Sequence, residues 1–256
     1  MALIGAGPGD PGLLTVKALK YIQQADVVLY DRLISDEILE LIPAGVSRIM
    51  VGKASGHHCV PQNEINQLLV NSAVKGRFIV RLKGGDPFCF GRGSEEALYL
   101  RKHGVRFEVV PGITAATGCS AYAGIPLTHR GLSKGVQFVT GHMKNNEPLQ
   151  LDWQKLADAD TTLVIYMGLS SLQTFSAQLI AHGLSAQMPA AAISNGTTPR
   201  QRRVISTLQQ IHADVIRANL ESPVMVIIGA VVALSEQLDW FEVTNGRVDY
   251  ETLVSH

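Results

Sequence analysis

The chain has 256 residues, of which 46% are apolar, with 24 glycines and no apolar run long enough to cross a bilayer. This composition points to a soluble α/β protein of one large or two modest domains and argues against a membrane role. Lys plus Arg and Asp plus Glu balance at 22 each, so no global basic field recruits nucleic acid, and an acidic ligand must be held by a local cluster.

Only Ala2-Leu3-Ile4 precede the first glycine, which is short for a central strand. No basic region followed by an apolar stretch marks a signal peptide. The expectation is that Met1 is an artificial start and that native sequence, an upstream domain, once preceded it. The opening IGAGPGDPGLLT carries Gly5, Gly7, Gly9 and Gly12 and at first sight resembles a dinucleotide fingerprint. Against NAD, Pro8 and Pro11 break the loop twice and an Asp10 carboxylate would repel phosphate. A loop shaped only to pack is the other alternative to a ligand loop.

LLTVKALKYIQQA, PQNEINQLLVNSAV and SEEALYLRKHG show helical apolar spacing, and DVVLY (26–30), FIVRL (78–82) and VRFEVV (105–110) are β-rich. Their alternation predicts a mostly parallel sheet covered by helices. Small residues, Gly and Pro gather in VPGITAATGCSAYAGIPLTHRG (110–131), predicting a domain junction near 111–115 and a packed small-residue helix after it. In the second half, KGVQFVTGH (134–142), TTLVIYMG (161–168), AAAIS (190–194), RRVISTL (202–208) and SPVMVIIGAVV (222–232) make strands predominate. KNNEPLQLDW (144–153) reads as an exposed loop, and TNGRVDYETLVSH lies beyond the last expected strand. The domains are therefore drawn as 1–112 and 113–243, with a tail at 244–256.

The most informative stretch is VRLKGGDPFCFGRGSEE (80–96). Gly84 and Gly85 leave bare backbone at the C-terminal edge of a strand, where open α/β sheets bind ligands, and Asp86 adds an acceptor for a cationic or hydroxyl group. Gly91 and Gly93 flank Arg92, which suits a bidentate hold on a carboxylate. Glu95 and Glu96 open a helix, where pairing with the helix dipole is an equally simple role. Cys59, Cys89 and Cys119 form no CxxC pair and read as small buried residues of a reducing cytoplasm. The histidines of HHC (57–59) and THR (128–130) lack metal-ligand spacing, so no metal is expected.

Set beside YDRLIS (30–35), GHHCVPQNEIN (56–66), VPGITAATG (110–118), IPLTHR (125–130) and YMGL (166–169), these loops make residues 2–241 resemble the uroporphyrinogen-III C-methyltransferases of the tetrapyrrole methyltransferase family. The resemblance implies two α/β domains with the S-adenosylmethionine cleft between them, the first domain on the substrate side and the second on the cofactor side, in a cytoplasmic homodimer. It implies two successive methyl transfers to uroporphyrinogen III, giving precorrin-2 by way of precorrin-1 for siroheme or cobalamin biosynthesis, with S-adenosylhomocysteine as by-product. Cofactor contacts carried over are Pro8, Gly84, Gly85, Asp86, Cys89, Thr114, Ala115, Met167 and Gly196. Catalytic positions are Asp31 as general base and Lys53 as proton donor, with Arg92 and Glu95 as rivals.

Because the substrate implied by this resemblance is a polycarboxylate, Arg32, His57, His58, Arg92, His129 and Arg130, joined by Lys134 and His142, are expected to gather around it. Simpler roles stand beside these: an ion pair of Asp31 with Arg32 or a helix cap, and a solvated loop charge for Lys53. Two other functions stay open: a methyltransferase of the same fold acting on a later corrin intermediate, an RNA ribose or a protein histidine, and an inactive methylase module fused to dehydrogenase and ferrochelatase parts of a siroheme synthase.

Overall fold

The computed structural model describes residues 1–52, 60–73, 76–142, 149–241, 243–244 and 247–248. The chain divides into two compact units, Met1–Thr114 and Ala115–His256.

The first unit alternates strand and helix: β1 (Ala2–Gly5), α1 (Val16–Gln24), β2 (Val27–Tyr30), α2 (Asp36–Glu40), β3 (Ser47–Met50), α3 (Gln62–Ser72), β4 (Ile79–Lys83), α4 (Gly93–Lys102) and β5 (Glu108–Val110). The strands line up in the order β3-β2-β4-β1-β5, and every pair is parallel. The short β1 lies between β4 and β5, and its Ala2, Leu3 and Ile4 are fully buried. Pleating sends alternate residues to opposite faces. Ile4, Val28, Val80 and Leu82 pack with Ile22 and Ile38 on one face, and Leu3, Leu29 and Ile79 with Ile65, Leu69 and Leu100 on the other. That second face also receives the remaining odd-numbered side chains of β4, Arg81 and Lys83, both buried.

Local capping sets the helix starts. The Thr15 hydroxyl accepts from the Ala18 amide at 3.1 Å, and Ala18 and Ile22, four residues apart, are the buried face of α1. The sequence pattern does not announce α2 and β3. The former has five residues with only Ile38 buried, and the latter is an edge strand whose Ser47, Arg48 and Met50 are exposed, so neither carries an apolar signature.

The second unit holds α5 (Ala115–Tyr122), β6 (Gly135–Thr140), α6 (Trp153–Leu156), β7 (Thr161–Tyr166), α7 (Leu172–Ala181), β8 (Pro189–Ser194), β9 (Arg202–Thr207), α8 (Ile211–Arg217), β10 (Val224–Ile228), β11 (Val243–Thr244) and β12 (Arg247–Val248). Its main sheet runs β6-β7-β10-β8-β9. Only the β6–β7 pair is parallel; β10 runs antiparallel to both neighbours, and β8 and β9 are antiparallel. Leu163, Ile165, Ala190, Ala192, Val226 and Ile228 bury one face beneath Phe175 and Leu179 of α7 and Ile211 and Val215 of α8. As the composition of 110–131 predicts, α5 is built of small residues, with Ala116, Gly118, Cys119 and Ser120 buried.

One expectation is corrected. Trp153 begins a short helix capped by Asp152, so the loop read over 144–153 ends before it, and its residues 144–148 lie outside the described residues. Beyond the last expected strand, β11 and β12 pair antiparallel.

Candidate functional site

Parallel strands place all their C-terminal ends on one edge, where backbone leaves the sheet and ligands bind. In the first unit this edge carries the loops after β1, β2, β4 and β5, and four glycines lock the backbones of the β1, β4 and β5 loops together. Gly7 and Gly85 exchange hydrogen bonds, Gly7 N to Gly85 O at 3.1 Å and Gly85 N to Gly7 O at 2.7 Å, both with positive φ (74° and 67°). A Cβ on Gly5 would stand 2.5 Å from Gly112 N and 2.6 Å from Gly85 O. No side chain fits there, and the result is a surface of main chain.

Asp86 braces this surface. Its Oδ1 accepts from the Phe88 and Cys89 amides at 2.8 and 3.1 Å, and its Oδ2 from Gly112 N at 3.1 Å, tying the β4 loop to the β5 loop. Asp10, read above as a deterrent to phosphate, is buried and caps its own turn by accepting from Gly12 N at 2.7 Å. After Asp86 the chain passes through Phe90 (φ 54°) and Arg92 (φ 57°), left-handed positions that cost on the order of 1–3 kcal/mol each for a non-glycine residue. Arg92, expected to offer its guanidinium to a substrate carboxylate, already grips Glu95 in a bidentate pair, Nε to Oε1 at 2.8 Å and Nη2 to Oε2 at 2.7 Å. The hydrogen bond from Arg92 holds the Glu95 carboxyl below its usual range, and the Arg92 guanidinium is raised in turn.

Asp31 follows β2 on the same edge. Its partner is not Arg32, and the cap of α2 is Ser35. Arg81 Nη2 donates to Asp31 Oδ1 at 2.5 Å, and Lys83 Nζ lies 3.8 Å from Oδ2. Behind them, Glu96 Oε1 accepts from Arg81 Nη2 at 3.1 Å and from Lys83 Nζ at 2.8 Å. Desolvation, then the neighbouring Arg81 charge, lowers the Lys83 ammonium from its ordinary value, although Asp31 and Glu96 oppose the shift. Of this quartet only Asp31 meets solvent, with 28% of its side chain exposed.

In the second unit the loops after β7 and β8 bear the strain. Met167 (φ 54°), Asn195 (φ 49°) and Thr197 (φ 65°) adopt left-handed backbone. Among the described residues, six non-glycine positions have positive φ; Phe90, Arg92 and Met167 fall in stretches singled out by the sequence motifs, and Asn195 and Thr197 flank Gly196. Met167 is half exposed, while the preceding Tyr166 hydroxyl accepts from the Ala116 amide at 3.1 Å, joining the end of β7 to the start of α5. Gln201 holds the Asn195–Thr198 turn, accepting from Thr197 N at 2.7 Å and donating to Tyr122 O at 2.9 Å.

Gly196 packs on Cys119, and a Cβ there would stand 3.0 Å from the cysteine's own Cβ. Burial pushes the Cys119 thiol up to about 12, so at pH 8 its thiolate is scarce. In the native protein Cys119 should therefore resist a disulfide-exchange reagent at that pH and react once urea unfolds the chain, as peptide mass mapping would show.

Several expected positions are not gathered into this geometry. Lys53, His57 and His58 lie outside the described residues. Arg32, His129, Arg130 and His142 are exposed, and Lys134 is ion-paired with Asp160. Pro8 and Thr114 are half-buried, and Ala115 opens α5. Sequence reasoning missed Gly5 and Gly112 as packing positions, and Arg81, Lys83 and Glu96 as partners of Asp31. The available signal was a cation at every second residue of a strand in an all-parallel sheet. Among the described residues, no three His, Cys, Asp or Glu side chains gather as metal ligands, and no helix is long and apolar enough to cross a membrane.

The family model for tetrapyrrole (corrin/porphyrin) methylases matches residues 1–212. Siroheme synthase 2 of Klebsiella pneumoniae is 55% identical over 241 residues, 94% of this chain and 52% of that protein. The chain thus spans about half the length of the curated relatives it matches. The native form of uroporphyrin III C-methyl transferase from Thermus thermophilus superposes with a TM-score of 0.77 at 38% identity, covering 91% of this chain and 93% of that one. The same enzyme complexed with S-adenyl homocysteine gives a TM-score of 0.77 at 38% identity, covering 90% and 92% of the two chains.

Proposed function

The chain belongs to the tetrapyrrole (corrin/porphyrin) methylase family, and from that premise we propose that it converts uroporphyrinogen III to precorrin-2 by two successive C-methylations from S-adenosylmethionine. The observation that carries this reading is the 38% identity, over 90% of the chain, with a uroporphyrin III C-methyl transferase solved with S-adenyl homocysteine. We read the chain as the methylating portion of a siroheme synthase-like protein, working in the cytoplasm as a homodimer.

The residues present fit the cofactor. The lock of Gly5, Gly85 and Gly112 removes side chains where a ligand would press on main chain. Asp86, bonded to the lock through Gly112 N, suits a cationic sulfonium and opposes a phosphate. Asp86, with acceptor capacity beyond its three amide donors, is the residue we assign to the cofactor's polar end; Gly84, Gly85, Cys89 and Thr114 in the first unit, and Ala115, Met167 and Gly196 in the second, are the remaining contacts, with Pro8. When bound, the cofactor supplies an electrophilic methyl group on sulfur.

An electron-rich pyrrole carbon is already a nucleophile, so the protein's main task is alignment, an effect worth up to roughly 7–11 kcal/mol. Asp31, partly open to solvent at the strand edge, accepts the proton that leaves the methylated macrocycle. Arg92 and Glu95, paired on the exposed first turn of α4, can trade their mutual contact for a substrate carboxylate. Arg32, His129 and Arg130 are exposed cations or potential cations free to follow the macrocycle's acidic arms.

Isothermal calorimetry and methyl-transfer assays test the proposal directly. Saturable heat is expected with S-adenosylhomocysteine. Incubation with labelled S-adenosylmethionine and uroporphyrinogen III should place two methyl groups on each macrocycle and give a red-fluorescing product after oxidation. No heat up to millimolar ligand, or no label on the macrocycle, would overturn it.

A further inference from the structure

We propose that Glu96 is a positioning residue for Asp31, acting through Arg81 and Lys83: it cancels one of two buried cations and so fixes the place and charge of the carboxylate that faces the substrate. This rests on the reading of Asp31 as the base. The geometry is unusual for a parallel sheet. Arg81 and Lys83 replace apolar side chains on the face that Leu3, Leu29 and Ile79 line, and Arg81 is 1% exposed and Lys83 3%.

Desolvating a charge costs several kcal/mol per ion even after relaxation, and a well-packed apolar pair of similar volume is often as stabilising. The fold alone therefore does not account for two cations here. What they do is pass charge from the interior to the edge: Glu96 is fully buried, Arg81 bridges Glu96 and Asp31, and Asp31 alone reaches solvent.

Glu96 is also loaded on one side. Its Oε1 takes Arg81 Nε at 3.3 Å, Arg81 Nη2 at 3.1 Å, Lys83 Nζ at 2.8 Å and Gln62 Nε2 at 3.4 Å. Its Oε2 is buried without a hydrogen-bond partner among the described residues. A carboxylate kept for its hydrogen bonds would use both oxygens; one kept for its charge need not.

Counted together, Asp31, Arg81, Lys83 and Glu96 are neutral, two charges of each sign. Around them, neutral Gln62 of α3 donates to Glu96, Arg81 Nη1 donates to the Leu82 carbonyl, and the Arg92–Glu95 pair at the start of α4 compensates itself. Remove the charge of Glu96, and Asp31 faces two buried cations; remove Lys83, and it faces one cation shared with Glu96. The two changes push the Asp31 carboxyl in opposite directions, which loss of packing would not do.

The test uses the full chain with Glu96→Gln and Lys83→Met. In 13C-carboxyl NMR, the signal assigned through its loss in Asp31→Asn is followed against pH, alongside the pH–rate profile for methyl transfer. The carboxyl titration should move to lower pH in Glu96→Gln and to higher pH in Lys83→Met, each by on the order of one pH unit. The acid limb of the rate profile should follow in the same directions, with S-adenosylhomocysteine affinity unchanged. If Glu96→Gln does not fold, the upward move in Lys83→Met decides the question.

Equal titration in both variants and wild type, or movement in one common direction, overturns the proposal. Opposite movements with an unmoved rate limb leave the charge device standing and defeat instead the assignment of Asp31 as base.

Discussion

Gly112→Ala is expected to abolish S-adenosylhomocysteine binding and to lower the thermal unfolding midpoint of the first unit. The added methyl would lie 2.7 Å from Gly5 C and 2.8 Å from Gly5 Cα, and closer still to Gly85 O. All three obstacles are backbone, so no rotamer change relieves them. Overpacking by a methyl group ordinarily costs about 1–3 kcal/mol, and a clash with fixed main chain belongs at or above the top of that range. The loops after β1, β4 and β5 would have to separate, and the Asp86 Oδ2 contact to Gly112 N at 3.1 Å would go with them. A suitable control is Gly135→Ala, where the nearest neighbour of a new Cβ is the Thr161 hydroxyl at 3.6 Å, an ordinary contact. Calorimetric titration and thermal unfolding of the two variants decide the matter: undiminished binding by Gly112→Ala would mean that these loops do not carry the cofactor.

How far this site could be read from the residues differs from loop to loop. Gly84, Gly85 and Asp86 stand together in the sequence, so their joint role as a bare, acid-bearing turn is visible there. The partners that make the turn rigid are not adjacent in sequence: Gly5 and Gly112 join Gly85 only because β1, β4 and β5 are neighbours in the parallel sheet. The strand at 27–30 is legible because burial writes a continuous apolar run, whereas the edge strand β3, exposed at Ser47, Arg48 and Met50, writes none.

Arg81 and Lys83 show the same limit from the other side. Alternation in VRLK looks like a strand with one wet face, and only the covering of that face by α3 and α4 turns two ordinary surface cations into buried ones opposite Glu96. The ion pair of Asp31 likewise passes over its sequence neighbour Arg32, because parallel register places β2 next to β4 and brings Arg81 to it.

Asp31→Asn should reduce methyl transfer by roughly 10²–10⁴, the range for losing a positioned general base, while S-adenosylhomocysteine still binds. Asn keeps an oxygen that can accept from Arg81, now at 2.5 Å from Oδ1, so the loop geometry is retained and the change is chiefly one of charge. Its stability cost is bounded. Removing one member of a buried pair costs about 3–5 kcal/mol, and Asp31, with 28% of its side chain exposed, should lose less than that because water screens the cations left behind. A turnover defect much larger than any fall in the unfolding midpoint explains is therefore the signature of chemistry.

The split between kinetic constants sharpens the result: a fall in kcat with KM for the macrocycle unchanged places the loss in the step that removes the proton, whereas a rise in KM alone makes Asp31 a contact for bound substrate. Activity near wild type would transfer the base role to the Arg92–Glu95 turn or to solvent. The comparison with Glu96→Gln then separates the two carboxylates, because only Asp31 meets the solvent side from which a proton can arrive.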